Sequence, residues 1–159
     1  MNNPGLIVLV VALIAASAFG WWRRRTDGRL RQVPDAGEDA AVRARSPRFS
    51  ASDLGVDLGA RATLVQFSSA FCQPCRATRR VLLDVAEMVD GVAAVEIDAE
   101  AHLDLVRQWD VMRTPTVFVL DADGLVVQRA AGQPRKVDVI AAIGVLAEPQ
   151  NDPRPVSET

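Results

Sequence analysis

The chain has two cysteines, Cys72 and Cys75, standing three positions apart with Gln73 and Pro74 between them. A thiolate is both a nucleophile and a soft ligand, so such a pair can exchange thiols for disulfides, hold a soft metal or sulfur atom as a carrier, or be two inert thiols. A disulfide framework that staples a small fold together needs more cysteines at wider spacing. Structural zinc needs four ligands, and His102 is the only histidine. The setting of the pair favours exchange. A β-prone run over residues 62–67 enters a Ser68-Ser69-Ala70 loop before it. After it, Val81, Leu82, Val85, Met88 and Val89 recur at helical spacing, with Arg79, Arg80, Asp84 and Glu87 on the other side. At a helix N-terminus the unpaired N–H groups and the dipole favour an anion, which makes Cys72 the attacking thiolate. Cys75, near the same helical face, can close a disulfide with Cys72 and so resolve a mixed disulfide. Pro74 has no N–H to lose at a helix start and stiffens the loop.

The elements that must hold this pair follow in order. Gly91 is placed to end the first helix as its C′ residue. Residues 92–97 read as a buried strand, residues 100–109 as a helix with Leu105, Val106 and Trp109 inward, and residues 116–120 as a strand. Asp121-Ala122-Asp123-Gly124 is a tight turn into a strand over 125–129, and Val139, Ile140, Ile143 and Leu146 mark a last helix. The order β-α-β-α-β-β-α predicts an α/β fold with a mixed sheet: strand–helix–strand units joined by right-handed crossovers run parallel, the final hairpin adds an antiparallel edge, and helices lie on both faces.

Leu64-Val-Gln-Phe-Ser-Ser-Ala-Phe-Cys-Gln-Pro-Cys75 resembles the active-site segment of the thioredoxin family, and Thr114-Pro115-Thr116 resembles its cis-proline segment. The resemblance spans residues 49–147, with Ile97-Asp98 and Ala131-Gly132 also in matching places. It implies a thioredoxin-like fold, a cis Pro115 packed opposite the sulfurs, and a Thr114 backbone that pairs with an extended substrate. Two departures stand out. Phe71 replaces the tryptophan before the first cysteine. Gln66 occupies the strand position where thioredoxins bury an acid, and Ala94 stands where its companion lysine would be. An amide takes no proton, so the resemblance implies a slower resolving step and specialised protein partners. The Gln-Pro dipeptide implies a moderately reducing couple. Arg76 and Arg113 are placed near the sulfurs, where they favour thiolate and acidic substrates; Arg79, Arg80 and His102 are read as surface residues.

Residues 1–22 carry no charge, and the apolar run over 5–22 is roughly 27 Å long as a helix, close to the ~30 Å hydrocarbon core. Trp21 and Trp22 suit an interfacial belt, and Arg23, Arg24 and Arg25 follow at once. The expected organisation is a transmembrane anchor with basic flank at 1–25, a flexible linker at 26–47, the thioredoxin-like domain at 48–147 and a disordered tail at 148–159. The arginines after the helix predict a single-pass protein with its domain on the cytoplasmic face, the extracytoplasmic side being the alternative. Residues 1–48 hold eight Arg against four acids, and residues 49–147 nine bases against thirteen acids. A basic lead suits lipid headgroups, whereas an acidic domain argues against nucleic acid. The reading is therefore a membrane-tethered thiol–disulfide oxidoreductase acting on protein thiols and disulfides and fed by an unidentified redox donor, with no cofactor or metal. The alternative is a soft-metal or sulfur carrier using the same cysteines.

Overall fold

A computed structural model describes residues 4–33 and 46–147. The expected tail and most of the expected linker lie outside these residues. Ten elements follow one another: α1 (Pro4–Thr26), β1 (Arg31–Gln32), α2 (Ala51–Leu54), β2 (Ala62–Ser68), α3 (Gln73–Met88), β3 (Val92–Asp98), α4 (Leu103–Gln108), β4 (Thr116–Asp121), β5 (Val126–Ala131) and α5 (Lys136–Ala147).

The expected order of the domain is present, but its sheet is less parallel than the crossover argument implied. The strands lie in the order β1-β5-β4-β2-β3. β2 and β3 are parallel. β4 runs antiparallel to β2, and β5 antiparallel to β4. Alternation along β2 sends Ala62 and Leu64 to one face and Val65 and Phe67 to the other. The first face is covered by Leu82 and Val85 of α3 and Val139, Ala142 and Ile143 of α5. The second is covered by Phe49, Leu54, Leu105 and Trp109. Helices therefore flank both faces, with the cysteine-bearing helix on the aliphatic one.

Several boundaries differ from the sequence reading. Helix α3 stops at Val89, whose backbone is extended, and not at Gly91. Gly91 (φ +78°) instead serves the turn into β3, where its carbonyl accepts from the Arg61 N–H at 2.8 Å. α4 begins at Leu103, three residues later than expected. Residues 27–33, assigned to a flexible linker, form a docked segment: β1 pairs antiparallel with β5, matching Arg31 to Arg129 and Gln32 to Gln128.

The helix α1 is present over Pro4–Thr26, and side chains from Ile7 to Trp22 are exposed. Among the described residues no helix is long and apolar enough to cross a membrane. The transmembrane span read over residues 5–22 is therefore not shown by the structure.

Candidate active site

β2 carries the chain out of the sheet at Ser68, and residues 69–71 turn it into α3. Cys72 is the N-cap of that helix (φ −88°, ψ 97°), and Pro74 sits in its first turn, where no intrahelical N–H is needed. The Cys75 N–H donates to Cys72 Sγ at 3.1 Å, so the sulfur takes the place of a capping oxygen. Cys72 and Cys75 are joined as a disulfide with their Cα atoms 5.2 Å apart.

The two sulfurs are not equivalent. Cys75 is 2% exposed, facing the sheet. Cys72 is half-buried, Gln73 and Pro74 are exposed, and Phe71 is fully exposed at 100%. An incoming sulfur can reach Cys72, while Cys75 is reachable only from within.

Beneath the pair lies Gln66, 1% exposed on β2. Its Nε2 donates to the Cys75 carbonyl at 3.0 Å. Its Oε1 has no hydrogen-bond partner, and neither does Oγ1 of the buried Thr78 one turn beyond Cys75. The amide thus holds the backbone of the second cysteine without a charge. It offers no group that titrates near neutrality.

The Thr114–Pro115 peptide is cis. Ser69 Oγ and Thr114 Oγ1 share a hydrogen bond of 3.0 Å, tying the loop before Cys72 to the proline segment. Thr116 Oγ1 donates to the Arg113 carbonyl at 2.7 Å, and the Gly132 N–H donates to the Pro115 carbonyl at 2.7 Å. Pro74, Thr114 and Pro115 line one cleft of about 820 Å³, which Val81, Arg113 and Asp27 share. Arg113 is engaged rather than free: its Nη2 donates to Asp27 Oδ1 at 2.7 Å and to the Ala131 carbonyl at 2.6 Å. Arg76 and Arg80 are exposed, while Arg79 pairs with Glu96 at 3.3 Å. His102 is exposed, its Nδ1 3.1 Å from the Asp98 carbonyl. At the cleft's far rim, the hydrogen bond from Arg135 holds the Asp138 carboxyl below its ordinary range, against the opposing effect of burial.

Sequence reasoning grouped Phe71, Cys72, Gln73, Pro74, Cys75, Gln66, Thr114 and Pro115; in the structure Gln66 meets the Cys75 carbonyl, Pro74, Thr114 and Pro115 share one cleft, and Phe71 stands fully exposed. Sequence reasoning missed Asp27 and Ser69. The partners of these two lie 86 and 45 residues away, and no local pattern announces such contacts. Among the described residues no three His, Cys, Asp or Glu side chains gather as a metal set.

The family model described as Thioredoxin matches residues 53–144. A thioredoxin from Mycolicibacterium smegmatis is 30% identical over 106 residues, covering 65% of this chain and 91% of that protein. A Thioredoxin H-type from Picea mariana is 28% identical over 93 residues, covering 55% of this chain and 74% of that one. A solved thioredoxin variant from Halobacterium salinarum matches in fold, with a TM-score of 0.55 and 22% identity over 65% of this chain and 88% of its own. Matching sequence, matching fold and a disulfide that caps a helix agree: the chain belongs to the thioredoxin family of thiol–disulfide oxidoreductases.

Proposed function

We propose that this protein is a membrane-tethered oxidoreductase that reduces disulfides of particular protein partners, with Cys72 attacking and Cys75 resolving. The observation that carries the division of roles is the difference in exposure between a reachable Cys72 and a buried Cys75. In the reduced protein the Cys72 thiolate attacks one sulfur of a partner disulfide. That S–S bond breaks, a mixed disulfide forms, and the first partner sulfur leaves as a thiolate and takes a proton from solvent. Cys75 loses its proton to solvent and attacks Cys72 Sγ, expelling the second partner sulfur. Two electrons have then moved to the partner, and the Cys72–Cys75 disulfide awaits a dithiol donor. Gln66 fixes the backbone of Cys75 but accepts no proton, which slows resolution and favours partners that dwell in the cleft.

Tethering is supported by the uncharged run over residues 5–22, the Trp21-Trp22 pair and the three arginines that follow. The basic flank favours a domain on the cytoplasmic face. Fusing alkaline phosphatase to the C-terminus tests this: low phosphatase activity is expected, and strong activity would place the domain outside.

Insulin reduction by the detergent-solubilised full chain tests the chemistry. Cys72→Ser abolishes turnover, and Cys75→Ser accumulates mixed disulfides visible on non-reducing gels. Equal activity in both variants and the unaltered chain would end the catalytic reading. Stoichiometric Cu(I) retention without turnover would move the assignment to a carrier.

A further inference from the structure

Residues 27–33 run from the end of α1 along the edge of the sheet, and they are latched at several points. The Asp27 carboxylate pairs with Arg113 at 2.7 Å. The Gly28 N–H donates to the Ala131 carbonyl at 3.0 Å, and the Val33 N–H to the Val127 carbonyl at 3.2 Å. Between them β1 pairs with β5. Leu30 packs against the aliphatic core and Val33 against the aromatic one, so the segment grips both faces. Gly28 is buried with φ +74°, and a methyl group there would run into the Gln133 carbonyl. This is a strap, fastened to the same loop that bears Thr114 and Pro115.

The strap has a geometric consequence. Asp27 is the first residue after α1, and it lines the cleft that also holds Pro74 and Pro115. Thr26 lies only about 6 Å along the helix axis from Trp22, the last apolar residue of the run. Arg29, Arg31, Arg113 and Arg129 line an adjoining cleft of about 670 Å³ against the acids Asp27 and Asp110, an excess of positive charge suited to anionic headgroups. Met112, in the adjoining cleft, and Phe71, before Cys72, present exposed apolar side chains.

We propose that the strap holds the redox cleft against the bilayer surface, so that its partner is another membrane protein whose disulfide lies at the membrane interface. This rests on the tethered reading above. The domain is carried by a rigid mount and does not sweep on a long leash. Proteins with disulfides far from the bilayer are poor partners.

Liposomes carrying the full chain provide the test. One lipid-anchored peptide disulfide is held at the headgroups, and another on a rigid polyproline spacer of about twenty residues, roughly 60 Å long. Flotation first establishes that the chain is membrane-bound; a chain that fails to float overturns the tethered reading and this inference with it. In a chain that floats, reduction of the surface peptide is expected to be about tenfold faster than reduction of the distant one. A flexible Gly-Ser insertion of about twelve residues between Thr26 and Asp27 adds roughly 20 Å of reach and erases most of that preference. The same insertion between Gly37 and Glu38, beyond the strap, leaves it intact. Gly28→Ala releases the latch and makes the two insertions equivalent. No surface preference in a chain that floats, or equal effects of the two insertions while Gly28 is present, would overturn the proposal and leave the tether standing.

Discussion

On one face of the sheet Phe49, Phe67, Trp109 and Phe118 form a ring cluster, with Phe49 and Trp109 stacked at 4.0 Å between centroids. On the other, Leu64, Leu82, Val85, Val117, Val119, Val139 and Ile143 fill the space under α3 and α5. The aromatic face fixes the segment around Phe49 and the end of α4. The aliphatic face lies under the disulfide loop and contains the unpartnered oxygens of Gln66 and Thr78. Stability and chemistry are therefore carried on opposite sides of the same strands. A residue on one side can be changed with little effect on the task of the other.

That separation can be broken in order of effect. Trp109→Ala removes a stacked ring from the aromatic face and loses about 3–5 kcal/mol of unfolding free energy. Urea titration reads the loss, while insulin reduction per folded molecule stays unchanged. A parallel fall in both would show that the faces are coupled.

Gln66→Asp acts on the other side. Burial holds an inserted carboxyl protonated, so its pKa in the folded protein rises above the unfolded value of about 3.9. The native state then binds the extra proton between those two values. Stability relative to the parent is retained below about pH 4 and falls as pH rises across that window, by about 1.4 kcal/mol per unit of displacement. Unfolding midpoints at several pH values measure this, and a flat profile would mean the site is wetter than its burial implies. Above that raised value, where the carboxyl is ionised, the same variant supplies a proton acceptor beside Cys75 and shortens the lifetime of the mixed disulfide. Gln66→Leu removes the orphaned oxygen, whose burial costs about 1–3 kcal/mol, together with one hydrogen bond worth about 1 kcal/mol. Stability is unchanged or slightly raised, and resolution does not quicken.

The smallest effect belongs to the surface. Arg135 depresses the Asp138 pKa, so that pair contributes stability above the unfolded carboxylate range and loses it as pH falls through the folded value. Asp138→Asn lowers stability at neutral pH by less than about 1 kcal/mol, because a largely exposed pair is screened, and its difference from the parent vanishes as pH falls through the folded value; melting temperatures across pH measure both.

Much of this arrangement was legible in the chain. Helical stripes such as Val81, Leu82 and Val85, and the turn ending in Gly124, are local patterns, and they fixed the order of the elements. The pair at a helix start was legible for the same reason. The capping box at Ser50 and Asp53, which starts α2, was a readable local signal that the reading passed over. What could not be read depends on distant partners. β1 is two residues long and has no period to detect; its register with Arg129 and Gln128 exists only in the folded sheet. The direction of β4 depends on how the stretch after α4 crosses, which apolar spacing does not encode. The burial of Gln66 followed from its place in the strand, but its bond to the Cys75 carbonyl required the packed helix.

One margin of the sheet remains to be considered. Arg31 and Gln32 cover part of the outer side of β5, so among the described residues the sheet ends on the two-residue β1 at one edge and on β3 at the other. Trimming the chain to start at residue 48 would uncover the outer amides and carbonyls of β5. A bare strand of that kind recruits another like itself. Shortened versions that keep residues 27–33 should stay monodisperse, and those that discard them should self-associate.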